Sequence, residues 1–173
     1  MITRFARNVL AKESGSSVYF VHGDATSLEF PDNTFDGYWS VQTLQHIPDL
    51  RKALFEAKRV LRPSGVFSDY SLNNCFFSRL IFLIFGNKYV VEGMVENSFF
   101  LRRLTDDTLK IYDEFFSTQT EIRYTEIVFK PELRFTISGR HDSFLGKIDS
   151  MLSNSGGALR LFARQRSIHA VVS

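Results

Sequence analysis

A carboxylate and a neighbouring backbone amide follow the first predicted strand of this sequence and could bind a ligand together. The run Val18–His22 (VYFVH) is almost continuously apolar, as expected for a buried parallel strand, and Gly23, Asp24 and Ala25 follow it. Open α/β sheets bind ligands just beyond the carboxyl ends of their strands. The Asp24 carboxylate can accept a hydrogen bond there, and the Ala25 N–H can donate one. The alternative is that Asp24 only caps the turn that follows it.

Polar residues also mark the end of a second predicted strand, Phe35–Val41 (FDGYWSV). Ser40, Val41 and Gln42 lie where this strand reaches the same edge of the sheet, so we expect them to line the ligand site. The alternative is that Ser40 and Gln42 are ordinary polar residues at a strand end.

His46 supplies the one imidazole expected at this edge, within the segment Leu44-Gln45-His46-Ile47. An imidazole changes its protonation near neutral pH, so His46 could act as a general base on a hydroxyl or amine. The alternative is that it only hydrogen-bonds the surrounding loop.

The elements that must position these residues form an α/β pattern. Asp49 is the predicted N-cap of a helix with near-ideal apolar spacing, and Pro63-Ser64-Gly65 predicts its end. Val66–Leu72 (VFSDYSL) is a third predicted strand. The other predicted elements are a helix over 4–13, a helix from about Thr105, a strand over Glu121–Phe129, helices over Ser143–Leu152 and Ala158–Ala163, and a last strand over Ser167–Val172.

Composition bounds the class of protein. The 173 residues suffice for one domain, and 21 Lys+Arg against 19 Asp+Glu give no basic stripe of the kind that nucleic-acid-binding proteins carry. Cys75 is the single cysteine, which excludes an intrachain disulfide and favours a reducing, cytoplasmic location. The four histidines have no metal-ligand spacing. We therefore expect neither a nucleic-acid partner nor a metal.

The sequence predicts neither a signal peptide nor a transmembrane segment. The first residues carry charges throughout. The most apolar run, Cys75–Phe85, is interrupted by Arg79 and is far shorter than the ~20 residues that a bilayer span requires.

The stretch from 18 to 70 resembles a known family. Its motifs are Gly-Asp-Ala after a strand, LEFPDNTFD, LQHI, and a helix ending in EAKRVLRPSG. In this order and spacing they resemble the middle of the small-molecule class I S-adenosylmethionine-dependent methyltransferases. The family's Pro-Gly-Gly is Pro63-Ser64-Gly65 here, which is tolerable if Ser64 can adopt the turn conformation.

The resemblance implies a Rossmann-like α/β sheet, mostly parallel with an antiparallel C-terminal strand, and S-adenosylmethionine as the cofactor. It implies that Asp24 and Ala25 contact the adenine and that Ser40, Val41 and Gln42 lie beside the methionine and methyl group. His46 is then the candidate catalytic residue, although methyl transfer in this family often depends mainly on aligning the acceptor with the sulfonium.

Two features of the family have no counterpart in the sequence: the glycine-rich turn after the first strand and the acid that binds the ribose hydroxyls. We therefore expect a partial domain over 1–173 that lacks the first two strands of the family's sheet order, 3-2-1-4-5-7-6. The predicted strands Val18–His22 and Phe35–Val41 would then be separated by an empty slot of two strands, each ~4.8 Å wide. Exposed sheet edges could lead to self-association.

The segment 75–117 occupies the place where the family inserts variable substrate-binding elements, and its sequence is apolar and helical in tendency. Cys75–Phe100 is either an apolar lid that covers a small or lipid-like acceptor or a part of the hydrophobic core. Impaired methyl transfer to such an acceptor is the leading hypothesis. The alternatives are a non-catalytic remnant or partner subunit, and a lipid-binding module built on the Phe-rich segment.

Overall fold

The computed structural model describes residues 19–116, 121–127, 144–154 and 161–172. The predicted helix over 4–13 and residue 18 lie outside these ranges. The elements in chain order are β1 (Phe35–Val41), a 3-10 turn (Leu44–His46), α1 (Leu50–Val60), β2 (Leu61–Leu72), α2 (Phe76–Ile84), β3 (Glu92–Val95), β4 (Phe99–Arg102), α3 (Asp106–Phe116), β5 (Glu121–Thr125), α4 (Phe144–Asn154) and β6 (Gln165–Val171).

The main sheet has the strand order β1-β2-β6-β5. β1 runs parallel to β2, and β6 runs antiparallel to both β2 and β5. The prediction of a parallel pair next to an antiparallel C-terminal strand is therefore confirmed. Within the described part of this sheet, however, one pair is parallel and two are antiparallel, so the sheet is mixed rather than mostly parallel.

The predicted strand Val18–His22 is wrong over its described part, because Tyr19–His22 forms no regular structure. Tyr19 is 85% exposed and Val21 is 60% exposed. Beyond them, Asp24 pairs with Ser27 only in an isolated bridge. A strand needs a neighbour for its backbone hydrogen bonds, and no described strand offers one to this apolar run.

Helix α1 follows its sequence pattern. The Asp49 carboxylate accepts a hydrogen bond from the Lys52 N–H at 3.1 Å, which confirms the predicted N-cap. The helix ends at Val60, and Ser64 has the left-handed φ of 66° that a glycine would otherwise supply. The buried face of α1 comprises Leu50, Ala53, Leu54, Ala57 and Val60.

The core lies between this face of α1, α3 and one side of the sheet. Phe67 of β2 is fully buried, and its ring stacks on Phe116 with centroids 4.5 Å apart. Tyr112 and Ile168 belong to the same buried cluster. Helix α3 begins at Asp106, as predicted, with the Thr105 hydroxyl accepting from the Thr108 N–H at 3.1 Å.

The segment 75–117 is not helical throughout, because an antiparallel hairpin of β3 and β4 separates α2 from α3. Its turn places Glu96 and Asn97 at φ values of 47° and 57°, and the Ser98 N–H donates to the Val95 carbonyl at 2.8 Å. Two left-handed residues between extended ones are typical of a tight hairpin turn. Of the later predictions, α4 confirms the helix near Ser143–Leu152.

Candidate functional site

The carboxyl edge of the parallel pair β1–β2 carries three of the predicted site residues, Ser40, Val41 and Gln42, and His46 follows in the 3-10 turn. β1 ends at Val41, and the chain then turns at Gln42, whose φ is 51°. The Gln42 N–H donates to the Tyr70 carbonyl at 2.7 Å, which fixes the turn to β2. Val41 is 53% exposed and Gln42 is also exposed, so both remain available to a ligand.

Ser40 points the other way, into the protein. Its side chain is buried, and its Oγ accepts a hydrogen bond from the Leu44 N–H at 3.4 Å. Across the parallel pair its register partner is Asp69. This arrangement lets Ser40 hold the turn after β1 rather than present its hydroxyl at the surface.

Asp24 and Ala25 lie near the surface, and each has one hydrogen-bonding group that is available to a ligand. Asp24 Oδ1 accepts from the Thr26 N–H at 2.8 Å and from its hydroxyl at 2.9 Å, and these bonds lower the pKa of Asp24. Within the described ranges, Asp24 Oδ2 and the Ala25 N–H make no hydrogen bond. An ionised carboxylate oxygen next to a free N–H fits the amino group and ring nitrogen of an adenine.

Arg59 of α1 fastens the loop that follows Asp24. Its guanidinium donates to the carbonyls of Leu28 at 2.9 Å and Phe30 at 2.8 Å. It also pairs with Glu56 at 2.8 Å and Asp32 at 2.6 Å, and these two carboxylates raise the pKa of Arg59. Glu56 in turn accepts from the Leu28 N–H at 2.8 Å. The Glu56 and Arg59 side chains of the EAKR motif therefore hold this loop against α1.

Both ring nitrogens of His46 are engaged by protein groups. Nδ1 lies 2.8 Å from the Phe100 carbonyl, so it carries the proton and donates. Nε2 then accepts from the Gln45 amide nitrogen at 3.1 Å. The ring also packs edge-on against Phe99 with centroids 5.4 Å apart. In this geometry His46 joins the 3-10 turn to the hairpin, which is the alternative that the sequence left open.

Two positioning residues were missed by the sequence analysis. Gln45 is buried, and its side-chain oxygen accepts from the Leu72 N–H at 2.8 Å, which ties the turn to the end of β2. Arg102 is buried in β4 and donates to the carbonyls of Ile47 at 2.9 Å and Pro48 at 2.7 Å. The signal that could have found this clamp is the Glu96-Asn97 turn between short apolar stretches, which predicts the hairpin that carries Arg102.

A buried polar cluster lies beneath this edge. Asp69 Oδ2 accepts from the Ser71 hydroxyl at 2.8 Å and from the Tyr112 hydroxyl at 2.9 Å. Burial raises the pKa of Asp69, against the opposing effect of nearby hydroxyl groups, and burial also raises the pKa of Tyr112. The Ser40 hydroxyl is one of those groups, yet Asp69 Oδ1 has no partner with hydrogen-bond geometry among the described residues. Complete burial keeps Asp69 away from any bound ligand.

A depression of about 360 Å³ lies at the opposite edge of the sheet. It is lined in part by Leu61 and Pro63, at the beginning of β2, and by Val172, just after β6. These residues are at the amino end of the parallel pair, so the depression is separate from the predicted ligand edge.

Comparison with known proteins extends these observations. A family described as "Methyltransferase domain" matches residues 1–68. A sterol 24-C-methyltransferase of Aspergillus fumigatus is 45% identical over 51 residues, which are 30% of this chain and 14% of that protein. The ubiquinone/menaquinone biosynthesis C-methyltransferase UbiE of Rickettsia bellii is 32% identical over 126 residues, 64% of this chain and 48% of that protein. The chain thus spans less than half the length of these curated relatives.

Solved structures agree on the fold. A SAM-dependent methyltransferase of Thermotoga maritima superposes with a TM-score of 0.64 at 18% identity, over 98% of this chain and 70% of that one. A SAM-dependent methyltransferase of Archaeoglobus fulgidus gives a TM-score of 0.59 at 17% identity, over 97% and 81%. At these identities the likeness concerns the arrangement of the strands and helices.

Proposed function

We propose that this chain is a class I S-adenosylmethionine-dependent methyltransferase, since its residues 1–68 match a methyltransferase domain family. It acts in methyl transfer to a small or lipid-like acceptor at the carboxyl edge of β1 and β2. When bound, S-adenosylmethionine supplies an electrophilic methyl group. The observation that carries the proposal is the pair formed by Asp24 Oδ2 and the Ala25 N–H, an acceptor and a donor that no described residue uses. This pair matches the hydrogen-bonding edge of an adenine.

Each predicted site residue then has a role that its geometry permits. Asp24 and Ala25 hold the adenine, and the exposed Val41 and Gln42 line the path to the methyl group. Ser40 acts from inside by fixing the turn through the Leu44 N–H. The role of these residues is to bind and orient, and alignment is the main requirement of the transfer.

His46 is the candidate base for an acceptor that must lose a proton. Its Nε2 carries the basic lone pair, and the Gln45 amide donates to that lone pair at 3.1 Å. An acceptor hydroxyl would have to replace the Gln45 amide as the donor to Nε2 before its proton could move. If His46 is the base, His46→Gln should lower kcat and leave S-adenosylmethionine binding unchanged. If His46 only holds the loop, turnover and cofactor binding should weaken together.

The acceptor class is supported by the apolar segment and by the relatives. Phe82 and Phe85 belong to α2 and its end, and α2 begins just beyond the carboxyl end of β2. The names of the relatives specify a sterol in one case and a quinone pathway in the other. We extend this preference for apolar acceptors to the present chain, with 75–117 as its variable, acceptor-side part. We also propose a cytoplasmic location, on the single free cysteine, and self-association through the outer edge of β1.

We further infer that the 173-residue chain by itself binds S-adenosylmethionine more weakly than ~1 μM, an affinity worth ~8 kcal/mol. The sequence has no counterpart of the family's glycine-rich turn or of the acid that binds the ribose hydroxyls. Each missing hydrogen bond to a charged group weakens binding by ~1.5–3 kcal/mol.

The test is titration of the chain with S-adenosylmethionine, followed by NMR at high ligand concentration. Saturable shifts should appear in the wild type, and Asp24→Ala should weaken binding by about 1.5–3 kcal/mol. The matched control is Asp36→Ala, because Asp36 is also exposed but pairs with Arg62 at the far end of β1. Unchanged binding by Asp24→Ala would remove Asp24 from the site. No saturable binding by any form would favour a non-catalytic partner subunit.

A further inference from the structure

Helix α2 exposes an apolar stripe of unusual size for its length of nine residues. Phe76 and Leu80 are 59% and 40% exposed, and Leu83 and Ile84 are 76% and 69% exposed. Their spacing of i, i+4, i+7 and i+8 places all four on one face of the helix. The opposite face is held against the protein by buried Ser78 and Ile81. Contiguous apolar patches of this kind mark interaction sites.

The charges within the segment that carries the stripe have one sign. From Cys75 to Val91 the only charged residues are Arg79 and Lys88, and both are exposed. Arg79 flanks the stripe and lies 5.7 Å from the centre of the Tyr89 ring. An apolar face with cations at its margins complements an anionic bilayer surface. A protein interface would also need polar rim groups, and the one uncharged polar side chain of α2, Ser78, is buried.

The start of the helix is fixed at the ligand edge. Asn73 precedes it and donates from its side chain to the Ala163 carbonyl at 2.7 Å, and its N–H donates to the Arg164 carbonyl at 2.8 Å. The Asn74 N–H donates to the Leu104 carbonyl at 3.0 Å. These bonds hold the connection between β2 and α2 in place, so the stripe begins beside the edge at which β2 ends.

We propose that α2 docks in the plane of an anionic lipid surface, with its stripe among the acyl chains and with Arg79 and Lys88 at the headgroups. The helix is ~13 Å long, which suits a position in the interface and not across it. None of the described helices combines the length and hydropathy of a membrane span. Docking would bring the acceptor edge close to the apolar phase. The inference does not require cofactor binding.

The experiment is co-sedimentation of the whole chain with vesicles of phosphatidylcholine, with and without phosphatidylglycerol. The wild type should bind the vesicles that contain phosphatidylglycerol, and Leu83→Glu should lower its partition coefficient by about tenfold or more. Met151→Glu is the matched control, since Met151 is 65% exposed on α4 and receives the same charge. Replacing Arg79 and Lys88 together by Gln should abolish the preference for phosphatidylglycerol. Circular dichroism verifies that each variant is folded.

Three results would overturn the proposal. The wild type could fail to bind either kind of vesicle, or Leu83→Glu and Met151→Glu could lose binding equally. The third is that the wild type binds no vesicles and forms a dimer in light scattering, and that Leu83→Glu dissociates this dimer. A second copy of the chain would then cover the stripe. Failure of S-adenosylmethionine to bind would leave the vesicle result unchanged, so this test is independent of the proposed function.

Discussion

Replacing the buried Asp69 by Asn should stabilise the protein at neutral pH. The carboxylate is fully buried, and its Oδ1 has no hydrogen-bond partner among the described residues. Asn keeps an oxygen that can accept from the hydroxyls of Ser71 and Tyr112, and it carries no charge. A buried ionised carboxylate costs about 1–3 kcal/mol more than the neutral amide that replaces it. We therefore expect a gain of about that size in the free energy of unfolding.

The pH dependence gives the sharper result. Burial raises the pKa of Asp69 in the folded state, whereas the unfolded group titrates near its ordinary value of ~3.9. Between these two values the folded protein binds more protons than the unfolded chain, so its stability falls as pH rises. Asp69→Asn removes this contribution. The stability difference between variant and wild type should be smallest below the unfolded pKa, grow as pH rises through the folded pKa, and then level off.

Urea unfolding followed by circular dichroism, repeated over a range of pH, measures this difference. Asp69→Ala is the informative companion, because it leaves the buried Tyr112 hydroxyl without its acceptor and should destabilise by about 1–3 kcal/mol. Equal destabilisation by Asp69→Asn and Asp69→Ala at pH 7 would refute the expected gain. A stability difference between Asp69→Asn and the wild type that stays constant with pH would refute the linkage to the carboxyl group.

Further predictions concern the clamp, the turn and the acceptor segment. Arg102→Leu should lower the free energy of unfolding in urea by about 2–4 kcal/mol, because the carbonyls of Ile47 and Pro48 lose their hydrogen-bond donor. Arg51→Leu removes only an exposed ion pair and should change that free energy by less than ~1 kcal/mol. Gly65→Ala should lower the melting temperature, since its Cβ would lie 2.8 Å from a backbone oxygen. Replacing Phe82 and Phe85 by Ser should reduce methyl transfer more than cofactor binding; equal loss of both, with unfolding, would identify the segment as core.

The local sequence pattern was sufficient to predict the elements that are stabilised mainly by residues close together in the chain. The apolar spacing after Asp49 predicts α1, and the cap bond from Lys52 lies within the first turn. The strands Phe35–Val41 and Val66–Leu72 were predicted because both are rich in apolar, β-branched or aromatic residues, and their pairing follows from the α/β order. The family motifs over 18–70 likewise depend on contiguous residues.

The run Val18–His22 shows where such reasoning stops. Its composition is that of a buried strand, yet Tyr19 and Val21 are exposed. Strand formation depends on a partner that supplies hydrogen bonds and covers the side chains, and composition carries no information about that partner. The same limit applies to the segment 92–102, whose hairpin is stabilised by Arg102 reaching the carbonyls of Ile47 and Pro48.

For the site, the sequence by itself determined that Ser40, Val41 and Gln42 lie at the end of β1 and that His46 follows in the next turn. Asp24 and Ala25 do not follow a strand as predicted, because Tyr19–His22 forms none. Only the tertiary structure decided their environments. It buries Ser40, leaves Gln42 exposed, and engages both nitrogens of His46. The physical reason is that position along a strand follows from local spacing, whereas burial and hydrogen-bond partners depend on residues distant in the chain, such as Phe100, which is 54 positions from His46.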